Sequence, residues 1–206
     1  MKTHNMKIKN NKIDVEYERL FKPYPELSKA NRVLLSNAKK RGDGWHHECL
    51  SSILLSAFRF EGLLNQLGYQ TIPFWDEIER ISWLRKLKIL CKYFSIPLNL
   101  GERPFQTIVE LFSFRNEFVH PKPQVLIKKQ VVKRKNMESY IDEHIPSFQK
   151  NKPLTEWEKK CSLEFTERCY EDVSDLARIL CKGADVDWND FLIMGCSCVS
   201  GPFEIE

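Results

Sequence analysis

A helix is written into Pro104-Phe105-Gln106-Thr107-Ile108-Val109-Glu110-Leu111-Phe112-Ser113-Phe114-Arg115-Asn116-Glu117-Phe118-Val119-His120-Pro121. Pro104 suits a first turn. Pro121 disfavours helical geometry in the residue before it, so the helix must stop near His120. At roughly 100° per residue, Ile108, Leu111, Phe112, Phe118 and Val119 share one apolar stripe, with Arg115 in its middle. A guanidinium that faces a core is costly unless it is paired.

A partner is available upstream. A helix from Trp45 to Gly68 carries Leu50, Ile53, Leu54, Ala57 and Leu64 on one stripe, and Glu61 falls in the middle of that stripe. Opposite charges on two long helices make a Glu61–Arg115 pair the economical expectation. A buried structural ion pair would account for both residues with no further role. The next turn argues for more. Asn116 and His120, spaced i and i+4, share a face beside Arg115. His120 lies at the helix end, where a fraying chain leaves it reachable. An Arg, an Asn and a titratable His placed together suit a phosphate: Arg grips it with a planar fork, and His moves a proton near neutral pH.

Outward from these helices the chain reads as more helix. Residues 1–24 form a polar, mobile lead-in closed by Pro23 and Pro25. A helix is expected from Leu27 to about Lys40, ending at the Arg41-Gly42-Asp43-Gly44 turn, and another from about Asp76 to Phe94, before Pro97. Residues 121–152, with their prolines, a Val-Leu-Ile run and a basic stretch, read as an extended connection with room for a short hairpin. A long final helix is expected from Leu154 to Lys182, ended by Gly183. The expected organisation is a lead-in (1–24), a helical domain (25–184) and a Cys-, Gly- and Pro-containing tail (185–206) whose role stays open. No repeat and no βαβ alternation is present. The fold class is all-α, a helical bundle with a long, partly extended excursion between the motif helix and the last long helix.

Composition bounds the function. The chain has 206 residues, 42% hydrophobic and 12% aromatic, which is enough for one packed core and excludes disorder throughout. The formal charge of +4, from 32 basic against 28 acidic residues, does not by itself argue for nucleic-acid binding. Seven cysteines, an odd number, follow a Lys- and Asn-rich start that is unlike a signal peptide, so a reducing compartment is expected. No apolar run approaches the roughly 20 residues of a membrane span. A cytosolic protein without membrane partners is the expectation.

Arg115-Asn116-Glu117-Phe118-Val119-His120 resembles the signature of the HEPN superfamily, helical-bundle domains with an Arg-x4–6-His motif at the end of one helix. The four-residue spacing matches, as does the polar residue after the Arg. Pro104-Phe105-Gln106, Leu111-Phe112, His120-Pro121-Lys122-Pro123 and Ser56-Ala57-Phe58-Arg59-Phe60-Glu61 are similar to a bacterial HEPN-like group, over roughly residues 45–182. The resemblance implies homodimers that bring two Arg/His motifs into one cleft. It implies RNA cleavage without metal or cofactor, with the 2′-hydroxyl as nucleophile and a 2′,3′-cyclic phosphate end as product. His120 would then transfer the proton, Arg115 would stabilise the charged phosphate, and Asn116 and Glu61 would orient them. The implied setting is a toxin–antitoxin or anti-phage defence effector with an antitoxin or defence-system partner. Toxins of this superfamily silenced by a nucleotidyltransferase carry Tyr two residues past the His. This chain has Lys122 there, so control by tyrosine adenylylation at that place is not expected.

Further positions have a sharp and a bland reading. Lys122 and the run Lys128, Lys129, Lys133, Arg134 and Lys135 could track an RNA backbone with strong salt dependence. A solvated loop is the commoner meaning of such a run. Cys196-Ser197-Cys198 and His46-His47-Glu48-Cys49 invite a metal, yet neither has the Cys-x2-Cys pairs of structural zinc sites, and no metal is expected. Cys161, Cys169 and Cys181 read as small core residues of the last helix. No phosphate-binding Gly loop, nucleophile elbow or dinucleotide fingerprint is present. Two alternatives stand beside the ribonuclease: a HEPN-like module that binds RNA or protein without cutting, with Glu61–Arg115 as a structural pair, and a subunit that needs a separate enzyme.

Overall fold

Two prolines open the first helix. Pro23 and Pro25 were expected to close a lead-in; instead they begin helix α1 (Pro23–Lys39), because the first-turn N–H groups of a helix have no intrahelical partner for a proline to remove. Helix α1 is followed by α2 (Trp45–Thr71), α3 (Trp75–Ile78), α4 (Trp83–Tyr93), α5 (Phe105–Val119), α6 (Glu156–Lys160), α7 (Leu163–Gly183) and α8 (Trp188–Leu192). This computed structural model describes residues 16–120, 122–129, 152–193 and 197–200, with 16–19 and 197–200 given by their backbone alone. The architecture is an all-α helical bundle with one small addition. Strand β1 (Glu16–Arg19) pairs antiparallel with β2 (Ser197–Ser200), Glu16 opposite Ser200 and Arg19 opposite Ser197. Among the described residues no helix is long and apolar enough to cross a membrane.

The chain divides into two compact units. The first comprises Met1–Ala30, Phe58–Leu98 and Leu176–Glu206. Its core holds Phe60, Leu63, Leu64 and Leu67 of α2, Leu87 and Leu90 of α4, and Ala177 and Leu180 of α7. Gly68 does not stop α2, which runs on to Thr71. A Cβ at Gly68 would lie 2.1 Å from the Trp75 ring, so glycine is required here by close packing. The helix expected over 76–94 is broken at residues 79–82 into α3 and α4. The tail packs on this unit through α8. Asp187 caps it by accepting from the N–H groups of Asn189 and Asp190, Phe191 is fully buried 5.3 Å from the Tyr24 ring, and Gln66 Nε2 donates to the Phe191 carbonyl.

The second unit comprises Asn31–Ala57 and Asn99–Asp175. Fully buried Asn31 of α1 clamps α2, accepting from Ser52 Oγ at 2.5 Å and donating to Ser56 Oγ at 2.7 Å. Arg103 forks onto Asp172 of α7 with bonds of 2.8 and 2.7 Å. The expected single helix from Leu154 to Lys182 is two. Thr155 and Glu158 form a reciprocal capping box that starts α6, and Ser162 starts α7 by accepting from the Phe165 N–H. Residues 122–129 are described without helix or strand, as expected of the connection, while the short hairpin considered there lies outside the described residues.

Candidate functional site

Helix α5 buries its first half and surfaces at its end. Phe105, Ile108, Leu111, Phe112 and Phe114 are buried, Phe118 is half-buried, Val119 is 46% exposed and His120 is exposed. Thus Ile108, Leu111 and Phe112 of the expected stripe form core, and the last turn hands its side chains to solvent. His120 is the C-cap residue, with φ −118° and ψ 51°, and its N–H donates to the Asn116 carbonyl at 3.2 Å. The cap holds the imidazole at the helix end, where the sequence placed it.

Arg115 is half-buried, one turn back. Its Nη1 donates to Asn116 Oδ1 at 3.1 Å, so Asn116 positions the guanidinium directly. Arg115 Nε is buried and, among the described residues, has no hydrogen-bond partner. Glu61 and Arg115, expected as a pair, fall in different units. Within its own unit, half-buried Glu61 acts by charge on Lys86, whose amine is held below its usual range first by burial. The charge that α2 buries completely is Arg59, at 0% exposure, with its guanidinium 5.7 Å over the Tyr24 ring. A single buried stripe would turn Glu61 inward, and Glu61 is half-buried. Buried Phe60, Leu63, Leu64 and Leu67 share one face of α2, and burial continues past it onto the polar residues Ser52, Ser56, Arg59 and Gln66, so the covered sector is wider than one apolar stripe.

His120 opens on a groove of about 480 Å³ lined by Glu117, His120, Lys122, Gln124, Leu126, Thr155, Glu156 and Trp157. The structure therefore brings Lys122 to His120. Arg115 and Asn116 are not on that lining. Lys128 lines an adjoining groove of about 450 Å³ with Lys152 and Lys159, sharing Leu126 and Glu156 with the first. Lys129 is exposed. Lys133, Arg134 and Lys135 lie outside the described residues.

Trp157 is the residue that sequence reasoning missed. It stands edge-on to Phe118 at 5.2 Å and to Phe114 at 6.5 Å, fixing α6 beside the end of α5. Its position was legible in Thr155-Glu156-Trp157-Glu158, a capping signature that puts Trp157 in a first turn. Beyond Trp157 lies a third groove, of about 570 Å³, lined by His46, His47, Leu50, Lys152, Leu154, Trp157, Glu158 and Cys161.

The metal readings do not gain from the fold. Cys49 is fully buried and burial raises its thiol pKa, while His47 is exposed, so the His46-His47-Glu48-Cys49 donors diverge. Among the described residues no group of three or more His, Cys, Asp or Glu could hold a metal ion. Cys196 lies outside the described residues, and Cys198 is described by its backbone alone. Cys161, Cys169 and Cys181 are buried, as small core residues should be. Comparison of the chain with family models, with curated proteins and with solved structures gives no match.

Proposed function

We propose that this chain is a metal-independent endoribonuclease of HEPN type. The observation that carries the reading is His120, exposed at the capped end of α5 in one groove with Lys122, a single turn beyond a guanidinium whose buried Nε has an unfilled donor. A phosphate at Arg115 would bond the outer guanidinium N–H groups, since Nη1 already donates to Asn116 and Nε is buried. His120 takes the proton of a ribose 2′-hydroxyl, the freed oxygen attacks the adjacent phosphorus, and the P–O5′ bond breaks as O5′ takes a proton from water, whose hydroxide is then neutralised by the proton His120 holds. Arg115, steadied by Asn116, stabilises the added negative charge of the transition state. The products are a 2′,3′-cyclic phosphate end and a 5′-hydroxyl. A homodimer, joining two such motifs, and an effector role restrained by an antitoxin or defence partner belong to this proposal.

The test is RNA cleavage by purified protein in EDTA, comparing wild type with Arg115→Ala and His120→Ala. Cleavage that survives chelation, disappears in both variants and leaves cyclic-phosphate ends supports the reading. Equal activity in all three places the site elsewhere. A second reading, a HEPN-like module that binds RNA or protein without cutting, is favoured by the absence of Arg115 and Asn116 from the lining of the His120 groove. Folded, dimeric wild type that binds RNA but never cuts it would decide for that module.

A further inference from the structure

The three grooves described above adjoin through shared residues. The His120 groove meets the His46/His47 groove at Trp157, and the Lys128 groove meets the latter at Lys152 and Leu154. All three belong to the second unit, and all three are built around the segment 152–161. In the sequence His46 and His47 invite a metal, and none is expected there. In the fold they stand at the start of α2 and line one groove with Trp157. The Cys161 thiol donates to the His46 carbonyl at 3.7 Å, which ties that start to the α6–α7 junction.

Charge along this course favours an anion. The carboxylates in the grooves already have cations: Glu156 has Lys159 at 2.6 Å, Glu158 has Lys152 at 3.4 Å, and Glu117 has Lys160 at 3.9 Å. Lys122, Lys128 and Lys129 have no carboxylate partner among the described residues. Lys152 is 53% exposed and holds Glu158 by one long contact of 3.4 Å, which leaves its ammonium donors for a phosphate to share. Cations set along a path, with a half-buried indole between them, match a single strand: phosphates meet the cations, and an unstacked base finds an aromatic surface. A duplex has no free base to offer Trp157.

We propose that a single-stranded RNA leaving the His120 groove crosses Trp157 and is held beyond it by His46, His47 and Lys152. This rests on the ribonuclease reading and extends the substrate contacts well past the motif helix. His46, His47 and Lys152 are binding residues here, with no part in proton transfer.

The experiment uses the 206-residue chain and a fluorescein-labelled single strand of about a dozen nucleotides with 2′-O-methyl riboses, which cannot be cut. Binding is followed by anisotropy across a salt series for wild type, His46→Gln/His47→Gln, Lys152→Ala and Lys88→Ala, a control on an exposed lysine of the first unit. The double histidine variant and Lys152→Ala should each bind at least about fivefold more weakly, and Lys152→Ala should flatten the salt slope by about 0.7, the value of one single-strand phosphate contact. Lys88→Ala should match wild type. If both groove variants bind within about twofold of wild type while His120-dependent cleavage persists, the extended track is overturned and the ribonuclease stands. If wild type neither binds nor cuts, both fall together. All substituted side chains are on the surface or half-buried, and thermal melts confirm that each variant is folded before binding is read.

Discussion

Trp157 stands edge-on to Phe118, ring centroids 5.2 Å apart and planes at 80°, and so ties the short helix α6 to the last turn of α5. That contact carries the far wall of the His120 groove. It joins a five-residue helix, too short to persist alone, to a helix anchored by its own buried half.

Trp157→Ala should therefore cost about 2 kcal/mol, less than a fully buried tryptophan because Trp157 is half-exposed to the grooves. Trp157→Phe should cost less than half as much. Urea unfolding followed by circular dichroism measures both, and an unmoved midpoint for the alanine variant would show that α6 is held by other means.

Arg103 and Asp172 form a bidentate ion pair in the second unit, with the carboxylate side chain 3% exposed. Arg103→Ala leaves a buried carboxylate without that partner and should destabilise by about 2–3 kcal/mol. The exposed guanidinium keeps the figure at the low end of what broken buried pairs cost. High salt should barely change the difference between variant and wild type, because the buried side of the pair is poorly screened.

Glu158 connects stability to acidity. The Thr155 N–H, donating to its carboxylate, is the main cause that holds its pKa below the usual carboxylate value, with the Thr155 hydroxyl and Lys152 adding to it. A depressed folded pKa contributes stability that is present above the unfolded value, about pH 4.5, and is lost as pH falls through the lower folded one. Glu158→Gln keeps the capping geometry but cannot titrate. Its melting temperature should show a shallower acid decline than wild type below about pH 4.5, and identical acid profiles would contradict this.

Burial raises the thiols of Cys49, Cys91, Cys161 and Cys181, the last three to about 11, 11 and 12. The thiolate is the reactive form, so native protein near pH 8 should leave all four unalkylated by iodoacetamide over times that label it fully in urea. Peptide mapping by mass spectrometry reads each site. Rapid native labelling of Cys161 would mean that the α6–α7 junction opens readily.

For the proposed chemistry, His120→Ala should lower the cleavage rate by about 10²–10⁴-fold, the usual contribution of a positioned proton-transfer group. Lys122→Ala, which shares the groove without touching the proton, should act mainly on KM. Single-turnover kinetics separate the two, and a pure kcat effect at Lys122 would assign that lysine to the reacting phosphate instead.

Much of the fold was legible because it follows from local rules. The periodic apolar residues of α2 and α5, the proline after His120 and the glycine turn after α1 mark helices that the chain would favour anywhere. Three readings differ. Gly68 looks like a helix stop and is a packing glycine, because Trp75 presses on it. Pro23 and Pro25 look like a boundary and are a first turn. Glu61 looks like the inward charge, while Arg59 is the one buried completely, because α2 is covered on more than one side. For Gly68 and for the charges of α2 the neighbour in space decides, whereas for Pro23 and Pro25 a local rule does, since a first turn has no N–H bond to lose.

The site divides the same way. From sequence alone came the order Arg115, Asn116, His120 along one helix and the exposure of its end, since a helix fixes the spacing of its own side chains and Pro121 limits its length. Only the tertiary structure brought Lys122, Lys128, Lys152, Trp157 and the His46–His47 pair to grooves that share walls. Those residues lie on three separate stretches of chain, and no periodicity links them. Their meeting is set by where α6 docks, which depends on the fit of one indole against two phenylalanines, a long-range packing event that local sequence does not encode.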